Sequence, residues 1–469
     1  MHTTITQTLV EFQEANDSVA SFFKNYGIGK LLRECRAHKV KGFPTTQILR
    51  YLVCLMFSPI STYMTMKIGT YKEEFSKNTI YRFCNNSGIN WHKFVRLLSE
   101  KVIRTFFRPA TSEKRLEYFI FDDTPFAKSG KKTELVSKFF NHVNMSYERG
   151  YRILTMLWTD GYSNVPIDFC PLSSGKDSLV LCPAKETDGR SLAGRIRRDA
   201  RRPAPELMHD MIEKAKKAGH SARYVLFDSW FSSPKAITDI RKNLRMDVIA
   251  MIKKTGKVNY EMDGKLMNIK QIYAASKKRR GRSKYLLSVD VNIIQKESGK
   301  ITSRIPARVV CVRNKSNKKD WIALISTDTS ITEEEIIQRY GNRWNVEVYF
   351  KTCKQYLKML SECRSTSFDA MTARLSIVCV RYMMLSVYQR ANSDERSLGE
   401  LFWLYAEEVS ELSFSNAFRL IISAMLETVR SYFHVSDEQM SEFMEAFIGR
   451  LPSHLQKLLK QNSTVEPAA

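Results

Sequence analysis

The order of predicted elements between residues 116 and 252 constrains the fold most strongly. The run YFIFDDT (118–124) is short and apolar and ends in acids, and residues 151–172 hold two strands around an Asp-Gly turn. A basic loop and a helix follow, then the apolar run RYVLFD, a second helix and the strand VIAMI. Wholly apolar or alternating runs of this length are typical of strands. The order therefore predicts an α/β protein with an RNase H-like mixed-sheet core.

The flanking segments have other patterns. Apolar residues recur at helical spacing near both ends, while YLLSVDVNIIQ, ARVVCVRN and WIALIST read as strands. A helix is predicted to begin near Glu333, with Thr332 as its N-cap. We therefore predict an N-terminal helical DNA-binding domain (1–112), a first core segment (113–252), a β-rich insertion (253–327), a second core segment (328–390) and a C-terminal helical region that is a candidate dimer surface (391–469).

The charge balance indicates the class of partner. The chain has 74 Lys and Arg against 49 Asp and Glu, a net charge of +25, which favours a polyanion. No run of about 18 apolar residues is present to suggest a membrane span. The N-terminus lacks a signal-peptide pattern. The nine cysteines include no Cys-x-x-Cys pair, which argues against a zinc site or a disulfide framework. We expect a cytoplasmic protein with no membrane partner.

One predicted helix carries an unusual set of side chains. In YGNRWNVEVYFKTCK, Tyr340, Arg343, Glu347 and Lys354 are offset by 3, 7 and 14 residues. At about 100° per residue, an α-helix places all four on one stripe. A carboxylate beside cations suits a metal ion and a phosphodiester, whereas the alternative is a solvated face of charge pairs.

Two aspartates complete an acidic set with that helix. Asp122 and Asp228 each follow a buried strand run, and in an RNase H-like sheet such acids meet a later helix at one edge. With Glu347 they could hold two Mg²⁺ or Mn²⁺ ions, which prefer oxygen ligands. Either aspartate alone could instead cap a turn. Asp122 is followed directly by Asp123, and either could be the ligand.

Two basic segments are candidates for DNA contact. SKNTIYRFCNNSGINWHKFVRLL reads as two short helices around a turn, which is either a helix-turn-helix that presents Lys77 and Arg82 or an ordinary αα-hairpin. KKRRGRSK (277–284), with Arg279 and Arg280, is either a solvated loop or a contact to the DNA backbone.

Three blocks of this chain resemble the DDE transposases of the bacterial insertion-sequence IS-four family. FDDTPFAKSGKK is similar to the first-Asp block and YVLFDSWF to the second, and the four helix residues match the family's Tyr-Arg-Glu-Lys signature at every position. The family pattern of Asp, any residue, then Thr or Ser selects Asp122 over Asp123. The DSW of the second block departs from the residues usual there and leaves the roles of the neighbours of Asp228 open.

The resemblance implies a function and residue roles. It implies a transposase that binds terminal inverted repeats, cleaves the ends with two Mg²⁺ or Mn²⁺ ions held by Asp122, Asp228 and Glu347, and joins 3′-hydroxyls to target DNA. Tyr340, Arg343 and Lys354 would bind end phosphates. The partners would be double-stranded DNA and a second copy in a synaptic dimer, in a bacterial, nucleoid-associated setting.

Two tryptophans lie near the predicted site, and two other functions are compatible with the sequence. Trp321 would stack on a flipped base or belong to the core of its strand, and Trp344 is expected to pack against its helix. The alternative functions are a domesticated transposase that only binds DNA, and an RNase H-like nuclease without strand transfer.

Overall fold

The computed structural model describes two stretches of the chain. These are residues 19–391 and 436–450, with gaps in the first at 40, 58–65, 68–72, 113, 129, 131, 142–144, 280–282, 299, 315–319, 360 and 363–364. The chain divides into two units. The larger comprises Phe23–Val53 and Lys72–Leu398 and contains the sheet, and the smaller comprises Met1–Phe22, Cys54–Tyr71 and Gly399–Ala469. The predicted C-terminal stretches FWLYAEEVSEL and AFRLIISAMLETVRSYF lie outside the described residues.

The larger unit contains all the described strands and most of the described helices, whereas the last helix (Asp437–Arg450) belongs to the smaller unit. The described helices are α1 (Ile28–Glu34), α2 (Thr45–Cys54), α3 (Lys77–Cys84), α4 (Trp91–Val102), α5 (Leu192–Asp199), α6 (Ala204–Lys217), α7 (Pro234–Asn243), α8 (Ile269–Ala275), α9 (Glu333–Gly341), α10 (Asn345–Gln355), α11 (Phe368–Ala391) and α12 (Asp437–Arg450). The described strands are β1 (Tyr118–Ala127), β2 (Ser137–Asn141), β3 (Ser146–Thr159), β4 (Asn164–Leu172), β5 (Tyr224–Phe227), β6 (Asp247–Ile252), β7 (Asn259–Met262), β8 (Lys265–Asn268), β9 (Leu287–Glu297), β10 (Lys300–Arg313) and β11 (Trp321–Ser326).

The strand order identifies the core. β4, β3, β1, β5 and β6 lie side by side in that order. The pairs β4–β3 and β3–β1 are antiparallel, whereas β1–β5 and β5–β6 are parallel. Three antiparallel strands followed by two parallel ones, with helices between the parallel strands, make the predicted RNase H-like mixed sheet. The predicted α/β class and core fold are confirmed.

The β-rich segment after β6 continues the same sheet. β11 pairs antiparallel with β6, and β10, β9, β7 and β8 follow outward. The three strands predicted there are present. The β7–β8 hairpin and α8 are not among the predictions, because those strands are only four residues long each and carry no clear alternation.

The segment predicted as a basic loop before α6 holds a helix. α5 begins after Ser191, whose hydroxyl accepts a hydrogen bond from Gly194 N–H. Its buried Arg197 donates to both Glu134 and Asp369. The arginine content of this segment suggested a loop. Ion pairs with residues distant in the sequence stabilise it as a helix instead.

Helices α4 and α11 form the layer that covers β4. Both pack against β4 and against each other. α11 is long and apolar enough to cross a membrane, but 89% of its most apolar window is buried inside the protein, so it is a core helix here. The Asp-Gly turn predicted between two strands joins β3 to β4, and buried Asp160 accepts hydrogen bonds from the N–H groups of Tyr162 and Ser163 there.

Candidate active site

The parallel pairing of β1 with β5 places two aspartates at the same level of the sheet. The pairing ends with Phe121 beside Phe227, and the next residues along the two chains are Asp122 and Asp228. Their charges interact, since Asp228 contributes to the raised pKa of Asp122. The two predicted acids are therefore neighbours across the central strands.

Asp122 does not end its strand, contrary to the prediction. β1 continues to Ala127 because β3 remains paired with it up to the Ala127–Gly150 pair. Only the parallel partner stops. The strand therefore holds Asp122 rigidly from one side and leaves the other side open next to Asp228.

The predicted helix that carries the Tyr-Arg-Glu-Lys signature contains a 3₁₀ turn. α9 begins after Thr332, the predicted N-cap, whose side chain forms a capping box with Glu335. It ends at Gly341, and a 3₁₀ turn (Asn342–Trp344) precedes α10. Glycine weakens a helix, and the Asn342 side-chain amide donates to Arg339 O at 3.2 Å. Tyr340 therefore lies on α9, Arg343 in the turn, and Glu347 and Lys354 on α10, and the residues that flank the turn keep right-handed helical backbone angles.

The signature residue Arg343 joins two of the acids. Its Nη1 donates to Asp122 Oδ2 at 3.2 Å and its Nη2 to Glu347 Oε1 at 2.5 Å. The guanidinium therefore lies between the two carboxylates. Among the described residues, no three His, Cys, Asp or Glu side chains are close enough together to hold a metal ion. The structure brings Asp122, Asp228, Arg343 and Glu347 into one site, with the arginine at its centre.

The electrostatics of Asp122 are unusual for a surface-edge carboxyl. The pKa of Asp122 is raised to about 7 overall: burial is the main cause, Asp228 and Asp123 add to the rise, and Arg343 and the Asp123 N–H oppose it. A carboxyl this close to another is stabilised in its charged form by a cation. Carboxylate oxygens are the ligands that Mg²⁺ and Mn²⁺ prefer. Asp122 and Asp228 therefore supply oxygen donors of the kind that such a cation prefers, while Arg343 lies between Asp122 and Glu347 in this structure.

Tyr340 and Lys354 also face the site. Tyr340 Oη is buried and has no hydrogen-bond partner among the described residues, and the Tyr340 ring centroid lies 5.9 Å from the Arg343 guanidinium carbon. Lys354 Nζ donates to Thr124 Oγ1 at 2.5 Å. Thr124 is two residues beyond Asp122 and so projects from the same face of β1. An unpaired buried hydroxyl and a half-buried ammonium suit an anionic ligand.

Asp123 is directed elsewhere. Successive strand residues alternate in direction, and Asp123 pairs with Arg152 on β3 while Asp122 pairs with Arg343. The geometry therefore favours Asp122 as the member of the acidic set.

Trp230 lies at the same edge and has no counterpart in the sequence-based predictions. The backbone N–H of Trp230 donates to Asp228 Oδ1 at 2.7 Å, and the residue is 49% exposed. Lys253 Nζ lies 4.4 Å and the Arg152 guanidinium carbon 5.3 Å from the ring centroid. Its signal in the sequence is an aromatic residue two positions after a strand-end acid. A partly exposed indole between cations is a suitable surface for an unpaired base.

Trp344 and Trp321 are the two tryptophans that the sequence analysis considered. Trp344 is 62% exposed, so the prediction that it packs against its helix is wrong; the 3₁₀ turn directs it to solvent. Trp321 begins β11, and its ring stacks on Tyr273 with centroids 4.2 Å apart. Because β11 is antiparallel to β6, Trp321 lies at the edge where β5 and β6 end. One ring face is therefore occupied by Tyr273.

The remaining predicted contacts lie outside this site. Lys77 and Arg82 are exposed on α3 of the N-terminal hairpin. The Arg279 guanidinium lies over the Tyr285 ring at 4.2 Å. Arg280 falls outside the described residues.

Comparisons with known proteins bear on the family. No curated protein sequence matches this chain. A solved structure, the Drosophila P element transposase strand transfer complex, matches at 11% identity with a TM-score of 0.23, over 56% of this chain and 55% of that one. This chain thus spans about half the length of that transposase.

The family model described as DDE superfamily endonuclease matches residues 46–292. This range includes Asp122 and Asp228 and ends before Glu347. It covers just over half of the 469 residues. The chain therefore belongs to the DDE superfamily endonuclease family.

Proposed function

We propose that this endonuclease is a cut-and-paste DNA transposase of the insertion-sequence IS-four type. It binds the terminal inverted repeats of its element, cleaves the ends, and joins the 3′-hydroxyls to target DNA. The observation that carries the proposal is the meeting of Asp122 and Asp228 across β1 and β5, with Glu347 tied to them through Arg343.

The acidic set would hold two divalent ions, Mg²⁺ or Mn²⁺, on Asp122, Asp228 and Glu347. When bound, the ions would supply the positive charge that activates an attacking hydroxyl and stabilises a leaving oxygen. Asp122 is held in place by continuous pairing of β1 with β3. Glu347 is fixed at the start of α10.

The other signature residues bind phosphate. Arg343 and Lys354 carry fixed charges beside the acids, and the Tyr340 hydroxyl is free to donate a hydrogen bond. Their present contacts to Asp122, Glu347 and Thr124 are ones that phosphate oxygens replace. Trp230 and Trp321 provide aromatic surfaces at the same edge for an unpaired base near the cut.

Double-stranded DNA is the partner that the charge of +25 favours. Holding two ends together requires a second copy of the chain, so the DNA complex is a homodimer. The protein acts in the bacterial cytoplasm, on the nucleoid.

The test first searches the DNA on both sides of the gene for short inverted repeats and uses those that it finds. Labelled DNA carrying one repeat is incubated with the purified full chain, Mg²⁺ and a circular target, and the products are separated by length. We expect cleavage at the repeat end followed by labelled DNA joined to the circle. Cleavage without joined product would instead assign a hydrolytic nuclease.

Matched variants identify the acids. Glu347→Gln should abolish cleavage, whereas Glu334→Gln, an exposed glutamate on the preceding helix, should not. Full cleavage by Glu347→Gln, with the same dependence on Mg²⁺ as the unmodified chain, would contradict the assignment.

A further inference from the structure

The N-terminal helical hairpin contains a pocket on elements separate from the acidic set. A pocket of about 510 Å³ opens between the loop that precedes α2 and the exposed face of α3. Its lining includes His38, Lys39, Lys41 and Arg82 and contains no aspartate or glutamate. The charged side chains among the described residues that line the pocket are therefore all basic.

The cations of this pocket lack partners of opposite charge. In the part of the chain that the structure describes, Lys39, Lys41 and Arg82 form no ion pair. Arg82 uses only its Nε, which donates to Asn78 O at 3.3 Å. Burial and the positive charge of Arg82 both lower the pKa of Lys39. Like charges held this close are stabilised by an anion between them.

The shape of the pocket is set by groups that do not move easily. Thr45 Oγ1 donates to Ala37 O at 2.7 Å and so closes the loop on which Lys39 and Lys41 lie. Phe83 is buried beneath the pocket, and Phe43 is half-buried at its side. The side chains of Thr79 and Asn86 add polar groups. A flat apolar wall beside clustered donors suits a phosphate attached to a sugar or a base.

We propose that this pocket binds a phosphate group of a nucleotide unit. The phosphate can belong to a nucleic-acid backbone or to a free nucleotide, because the recognising chemistry is the same. The first source rests on the proposed function, since it adds a DNA contact to the transposase. The second source does not depend on it.

The test measures binding without catalysis. A fluorescent 20-base-pair duplex and, separately, a fluorescent adenosine nucleotide are titrated with the full chain in EDTA at several salt concentrations. The double variant Lys39→Gln/Arg82→Gln is compared with Lys24→Gln/Lys30→Gln, which removes the same charge from exposed positions nearby. Thermal midpoints are recorded for both.

A duplex contact predicts that the pocket variant loses at least about tenfold in DNA affinity and that its salt slope falls by about 2, beyond the control. A nucleotide site predicts the same loss for the nucleotide only. Equal affinities of the pocket variant and the control for both probes overturn the proposal. Because no cleavage is measured, failure here leaves the proposed function standing, and a chain that cleaves no DNA can still show this site.

Discussion

Asp122 on β1 and Asp168 on β4 are carboxylates of the same sheet, and their surroundings shift their pKa values in opposite directions. Asp168 is fully buried, yet Arg96, His92 and the Phe169 N–H hold its pKa at about 2 despite the cost of burial. Asp122 shares its one cation, Arg343, with Glu347 and lies beside Asp228, and its pKa is about 7.

The difference separates a structural ion cluster from a site that needs a ligand. Both carboxylate oxygens of Asp168 have partners, His92 and the Phe169 N–H at one and Arg96 at the other, so the cluster joins α4 to β4. At Asp122 the carboxylates of Asp122 and Glu347 share the Arg343 guanidinium and Asp228 lies beside them, and such a grouping of acids is expected where a cation binds. Aspartate therefore stabilises the fold at position 168, whereas at position 122 it belongs to the candidate active site.

The sharpest test exchanges each carboxyl for an amide. Asp122→Asn should lower DNA cleavage by at least about 10³-fold, roughly 4 kcal/mol, because a metal-ligand oxygen is lost. Its midpoint of urea unfolding should stay the same or rise, since a repelled charge is removed. Cleavage assays and urea titration measure the two effects. Asp263→Asn, at an exposed turn, is the control. A large loss of stability in Asp122→Asn would erase the contrast with Asp168.

The second test concerns Asp168. Asp168→Asn should reduce the free energy of unfolding by about 3 kcal/mol, because Arg96 is left buried without its counter-charge. Urea unfolding followed by circular dichroism measures it. The fraction that remains folded should cleave DNA at the normal rate. A reduction below about 1 kcal/mol would show that the cluster is not a structural one.

The third test uses pH on the same cluster. Burial lowers the pKa of His220 to about 4, below its usual 6.5, and its Nε2–H donates to Arg96 O at 2.9 Å. The unfolded chain therefore takes up a proton between pH 6.5 and 4 that the folded chain does not. Stability is full above pH 6.5, and about 2 kcal/mol of it should be lost between pH 7 and 5.

Unfolding of the chain and of His220→Gln at pH 7, 6 and 5 measures this contribution. The groups that act on His220 are Arg96, Glu100 and Arg108, and they are the same in both proteins. The variant should lose less stability than the unmodified chain over this range. Parallel pH profiles for the two would contradict the prediction.

The smallest expected effect distinguishes Trp230 from Trp321, which both lie at the edge of the sheet near Asp228. Trp230→Ala should weaken binding of a repeat end with unpaired bases by about 1–2 kcal/mol, as loss of one stacked base does, with little effect on unfolding. Trp321→Ala should instead lower stability, because its ring stacks on Tyr273. Fluorescence anisotropy and urea unfolding of both variants measure this. If Trp321→Ala weakens that binding more than Trp230→Ala does, the base-stacking role belongs to Trp321.

The core of the fold could be predicted because its strands are apolar runs with clear turns. The order of β1, β3, β4, β5 and β6 follows from them. The 3₁₀ turn between α9 and α10 could not be predicted. It depends on the hydrogen bond from the Asn342 side chain to the carbonyl of Arg339, which the sequence does not reveal. The continuation of β1 beyond Asp122 depends on its pairing with β3, which no local pattern reveals.

The members of the candidate site were predicted from the sequence, but their mutual contacts were not. Spacing suggested that Arg343 and Glu347 share a face, and they do so across a 3₁₀ turn. The contact of Arg343 with Asp122 joins residues 221 positions apart. Trp230 was not identified because its exposure and its neighbouring cations arise only from packing.

The composition of α11 has a consequence for the newly made chain. Before folding, this helix has the length and hydropathy of a segment that a translocation machinery would insert. Arg381, near its middle, makes insertion costly, by about 2.5–3.5 kcal/mol on biological scales. In the folded protein the same arginine is fully buried and donates to the carbonyls of Leu52, Val53 and Leu357 and to Glu362. The side chain that would be costly in lipid is thus hydrogen-bonded in the protein interior.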